Sequence, residues 1–149
     1  GGDGNRIAAM AADVCGHADA GATALREAKY AWAGQLRASG DRDQALKLYK
    51  ELASDVKTRE GSEAAYYVIE ALFESGDLDK TESEVFAFSD REPNAYWLAK
   101  AFLLLGDVYV RKGDTFQARA TYQSVADGYS PADDGIVDEA KERIAKLKN

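Results

Sequence analysis

Apolar residues along this chain recur at spacings of three and four. Tyr96, Ala99, Phe102, Leu105 and Tyr109 form one such run, and Ala118, Tyr122 and Val125 form another after a short polar break. That spacing places side chains on one face of a 3.6-residue helix, so both runs predict amphipathic helices. No alternating apolar–polar stretch predicts a strand. Between the two runs stands Gly113-Asp114, and the same pair occurs at Gly40-Asp41 and Gly76-Asp77, at intervals of 36 and 37 residues. Gly takes positive φ without steric penalty and commonly closes a helix. Asp just after it accepts a bond from the free N–H groups that open the next helix. Gln44 and Gln117 follow their Asp by three positions, the spacing of a capping box. Each pair therefore predicts a tight helix-to-helix turn, and the period predicts a helical hairpin repeated along an α-solenoid.

Particular residues make the pattern more specific. The third unit, Ala99 to about Ala132, carries Phe102, Leu105, Gly106, Tyr109, Gly113, Ala118, Tyr122 and Val125, with Pro131 one place late. The first, Arg26 to Arg59, carries Trp32, Ala33, Leu36, Gly40, Ala45, Tyr49 and Leu52; the second, Ser62 to Ala95, keeps Val68, Leu72, Gly76 and Phe88. From about Ala22 to Ala132 the chain resembles the tetratricopeptide repeat (TPR) family. The resemblance implies an all-α fold, a right-handed α-α superhelix (TPR solenoid) of about three helical hairpins. Repeats are expected over 22–59, 62–95 and 93–132 within one domain spanning 1–149. Ile69 and Thr81 stand where the family prefers small residues, so the second hairpin is expected to be splayed. Pro93 is tolerated in a first helical turn, so the third repeat's first helix is expected to start there and to be long.

The ends differ from the repeats. Residues 1–4, Gly-Gly-Asp-Gly without Met, read as a disordered scar of excision from something longer. Residues 5–16 are apolar nearly all round and read as a half-repeat helix, with Ile7, Met10 and Val14 exposed enough to drive self-association. Over 135–148, Ile136, Val137, Ala140, Ile144 and Leu147 make one stripe. Acids open this segment and Lys and Arg close it, which predicts a capping helix at the end of a longer array, with its N-cap at Asp133 or Asp134. The region from Tyr96 to Val125 is also similar to the last repeats of large exported TPR proteins of Gram-negative bacteria. That resemblance implies the bacterial cell envelope or periplasm.

Composition narrows the chemistry. Ala is the commonest residue, at 27 of 149, and Pro occurs twice, a balance that favours helix. The formal net charge of −7 argues against nucleic acid, whose phosphates need clustered Lys and Arg, and no apolar run is long enough to span a bilayer. Cys15 and His17 are the only residues of their kinds, too few for a tetrahedral zinc site, so no metal or cofactor is expected. No Gly-rich phosphate loop and no nucleophile elbow occurs, and the chain is not expected to be an enzyme.

What remains is a surface. In TPR arrays the first helices of successive repeats line a concave groove. The resemblance places Glu27, Tyr30, Gly34 and Arg37 there from the first repeat, Glu63, Tyr66, Glu70 and Phe73 from the second, and Lys100, Leu103, Asp107, Val110 and Arg111 from the third. Tyr30 and Gly34 replace the first Lys and the Asn of the family's clamp for a terminal carboxylate, which argues against that ligand. The expected function is a scaffold that binds a peptide or partner protein along this groove, the ligand apolar with some basic character. The alternative is a structural cap that binds nothing, with Tyr30, Tyr66 and Phe73 as ordinary core. Aromatic side chains serve both roles.

Overall fold

A computed structural model describes residues 21–130 and 133–147. Seven α-helices occupy them: α1 Gly21–Ala38, α2 Arg42–Leu52, α3 Arg59–Glu74, α4 Leu78–Asp90, α5 Ala95–Arg111, α6 Thr115–Gly128 and α7 Ile136–Lys146. No strand occurs among the described residues. The described residues are all-helical. The expectations for residues 1–16, for the Cys15–His17 pair and for Pro131 fall outside the described residues. The chain divides into two compact units, one ending at Val68 and one beginning at Ile69, a boundary inside α3.

The Gly-Asp turns have one geometry three times. Gly40, Gly76 and Gly113 sit at φ of 90°, 88° and 79°, where a Cβ would be strained. Each Gly N–H donates back to the carbonyl of Arg37, Phe73 or Val110. Each following Asp N–H donates to Leu36, Leu72 or Tyr109 at 2.9–3.2 Å. Together these are the two bonds of a Schellman motif. The same Asp then caps the next helix, its Oδ1 accepting from the N–H of Gln44, Lys80 or Gln117 at 3.3, 3.2 and 3.0 Å. The expected capping box is half made. Because the Asp N–H is already bonded backwards, it is not left for the Gln side chain, and Gln117 Nε2 donates to the Asp114 carboxylate instead.

Two helix starts differ from expectation. Pro93 lies outside α5. Asn94 is the cap, its Oδ1 accepting from Tyr96 N at 3.0 Å and Trp97 N at 3.3 Å. Asn is the stronger cap because its side chain supplies an acceptor that Pro lacks. The residue flanking α7 is Gly135, at φ 89° and with no side chain to give. Asp134 acts from one place earlier, its Oδ1 accepting from Ile136 N at 3.2 Å.

In the first unit α1 and α2 form a hairpin around Ala33, Ala45, Leu48, Tyr49, Leu52 and Ala64, with Trp32, Leu36 and Tyr67 packed on its margin. The link to α3 is tightly built. Thr58 Oγ1 donates to the Asp55 carbonyl at 3.0 Å and accepts from Gly61 N at 2.9 Å, and Ser62 Oγ donates to the Val56 carbonyl at 2.6 Å. In the second unit α5 is central and packs against α4, α6 and α7. Contact on three sides buries Ala99, Ala101, Leu103, Leu104, Leu105, Val108 and Tyr109, which is more of its circumference than one stripe would cover. Each fully buried Leu or Val contributes about 1.5–3 kcal/mol. Gly106 lies directly beneath the ring of Tyr122, so the close approach of α5 and α6 rests on a missing side chain. Thr81, 0% exposed, is buried as completely as Ala118. Its hydroxyl turns back to the Asp77 carbonyl at 2.7 Å and presents no unsatisfied polar group.

Candidate functional site: the faces of the first helices

The candidate groove residues take different roles in the two units. In the first, Tyr30 Oη donates to both carboxylate oxygens of Glu63, at 3.0 and 2.8 Å, which ties α1 to α3. Burial first, and then this bond, push the Tyr30 phenol up to about 12. The Arg37 guanidinium lies over the Tyr67 ring, 3.8 Å from its centroid. Tyr66 is only 8% exposed and Glu63 is buried with it. Tyr66 is therefore a core residue and presents no groove-facing ring. Glu27 and Gly34 remain exposed.

In the second unit Leu103 also departs from expectation. At 2% exposure it is core, in a helix packed against α4, α6 and α7. Lys100 is half-buried and forms a 3.9 Å ion pair with Glu139 of α7, and Glu70 is half-buried on α3. Asp107 holds three helices together. It accepts a short hydrogen bond from Tyr122 Oη of α6, and Arg143 Nε of α7 donates to the same oxygen at 3.1 Å. Burial raises the Tyr122 phenol above the ordinary range, and its bond to Asp107 adds to the shift. Burial works against the charge on Arg143, yet Asp107 and Glu139 outweigh it and hold that guanidinium above its ordinary pKa.

Three of the remaining positions meet. Phe73, Val110 and Arg111 border a hollow of about 410 Å³, with Asp107 and Tyr122, with Arg143 and Lys146 of α7 and with Leu147 just past that helix. The Arg111 guanidinium stacks on the Phe73 ring, 4.2 Å from its centroid. Val110 is 46% exposed, unusual for a large aliphatic side chain in a packed helix. Among the described residues its lining carries three bases, Arg111, Arg143 and Lys146, and one acid, Asp107. Arg143 and Lys146 were not among the positions expected here, since the family pattern names only the first helices of the repeats. Their signal was the i, i+3 spacing of Arg143 and Lys146, which puts both on one face of α7.

Among the described residues no cluster of His, Cys, Asp or Glu is arranged to hold a metal ion, and no helix is long and apolar enough to cross a membrane. The hollow offers bases for pairing and apolar surface for contact. Residues 100–130, from within α5 to just past α6, match the family model of the tetratricopeptide repeat. No curated protein matches the chain. The helical hairpin, the Gly beneath an aromatic ring, the Schellman turn and this match agree on one repeat, and over residues 100–130 the chain is similar to the tetratricopeptide repeat.

Proposed function

We propose that this chain is a non-enzymatic protein-interaction module that holds a peptide or partner segment against the faces of its first helices. Tetratricopeptide repeats generally serve as non-catalytic interaction scaffolds, which supports the class of function. The observation that carries the reading is Val110. A large aliphatic side chain, nearly half exposed, borders a hollow beside an arginine already stacked on Phe73. Exposed apolar surface rimmed by polar groups marks interaction sites. Phe73, Asp107, Val110 and Arg111 are the positions assigned to the ligand, while Tyr30, Glu63 and Tyr66 hold the first unit together. A bacterial envelope or periplasmic setting goes with the proposal on resemblance alone, and fractionation of the source cells checks it.

The test is capture from the source lysate with the parent protein and its Val110→Glu variant. An exposed position tolerates the change, so the unfolding midpoint should hold while the specifically retained partner is lost. Equal retention by both would remove the groove reading.

A second reading, a structural terminus, draws on a different observation. α7 buries Ile136, Val137 and Ala140 and sends Arg143 to Asp107. These contacts would seal the end of an array without any ligand. Retention unaffected by Val110→Glu would favour it.

A further inference from the structure

The hollow of the second unit also carries information about the chemistry of its occupant. We infer that it takes a peptide segment bearing side-chain carboxylates next to an apolar side chain, an inference that rests on the interaction-module reading and deepens it. The charge is the first reason. Among the described residues, Arg111, Arg143 and Lys146 line the hollow with one acid, Asp107; Arg143 pairs with Asp107 and with Glu139, so the bases beyond that pairing are Arg111 and Lys146, in a chain whose net charge is −7. The Asp107 oxygen that faces Tyr122 and Arg143 is already engaged by both.

Arg111 supplies the second reason. The Arg111 guanidinium carbon lies 4.2 Å from the Phe73 ring centroid, and carboxylate matches the planar fork of a guanidinium better than any other protein group. The ring beneath it also holds the fork in place, so less freedom is lost when a carboxylate binds. The apolar share of the lining is the third. Phe73, Val110 and Leu147 would leave a purely acidic ligand against dry surface, whereas a Leu or Phe beside the acid covers it. The volume, about 410 Å³, falls in the lower part of the ~300–1,000 Å³ range of ligand sites and suits a few side chains of a segment rather than a folded domain.

A dodecapeptide display library panned on the intact chain tests this. The selected sequences should pair Asp or Glu with Leu or Phe. A synthetic, C-terminally amidated copy should bind in fluorescence anisotropy, since the terminal carboxylate is not the recognised group. The double variant R111E/K146E should weaken that copy at least ~tenfold with an unchanged unfolding midpoint, and Phe116→Ala, on an exposed part of α6, should leave it alone. Binding should also weaken as salt rises. Selected sequences that are basic or neutral, yet still weakened by Val110→Ser, would overturn the acidic occupant and leave the interaction surface standing. No enrichment, or binding indifferent to Val110, Arg111 and Lys146, would overturn the interaction reading itself.

Discussion

At the scale of single residues, three helical glycines separate space from conformation. A Cβ on Gly61 would meet the Asp55 carbonyl, a backbone atom held by Thr58. A Cβ on Gly106 would meet the Tyr122 ring, which its bond to Asp107 keeps from turning aside. A Cβ on Gly34 of α1 would meet nothing within 4 Å. The same substitution should therefore have opposite signs. Gly34→Ala should stabilise by about 0.5–1 kcal/mol, the helical penalty of glycine removed. Gly106→Ala should cost about 1–3 kcal/mol through overpacking, and Gly61→Ala at least as much because backbone yields less than a ring. Urea melts of the three variants read this, and a common sign for all three would contradict it. Gly106 was legible in the sequence as a small residue at a helix crossing. Gly61 was not, because its constraint comes from the Asp55–Thr58 turn, whose bonds no periodicity displays.

At the scale of elements, the recurring turns were legible because everything they need is local. One glycine at positive φ and one aspartate serve the end of one helix and the start of the next within a few residues. Contacts between helices distant in sequence were less so. Ile69 and Thr81 are both buried, and the Thr81 hydroxyl is absorbed by its own helix, a local bond that the spacing of apolar residues does not display. Phenols tie several helices together, and this gives a pH test. Tyr30 bonds to Glu63, and Tyr109 is pushed up to about 12 by burial first and then by Glu82. In the unfolded chain both titrate near 10. A folded pKa raised above the unfolded one gives stability that is complete below pH ~10 and is lost as pH rises through about 12, since the folded chain holds the proton longer. Absorbance of phenolate should accordingly appear at higher pH in the native chain than in urea, and the urea midpoint should fall across that window. Native tyrosines ionising together near pH 10 would contradict the tie between α1 and α3.

At the scale of the whole molecule, the sequence pointed to a repeat protein and to a class of function, and the residues that meet a ligand were harder to read. Of the positions taken from the family, Phe73, Asp107, Val110 and Arg111 meet on one lining, whereas Tyr66 and Leu103 are buried in the core. The family positions gave no hint of Arg143 and Lys146, which arrive from α7 and bring two more positive groups to the lining. The central claim is that a partner segment rests where Val110 is bare. A photo-crosslinking side chain placed at position 110 of the parent protein, in its own cells, tests this most directly. The same side chain at position 116, where Phe116 is 82% exposed on α6, serves as the reference for mere exposure. The account predicts one discrete crosslinked partner from position 110 and none from position 116. Crosslinks from position 116 alone, or none from position 110, would contradict it.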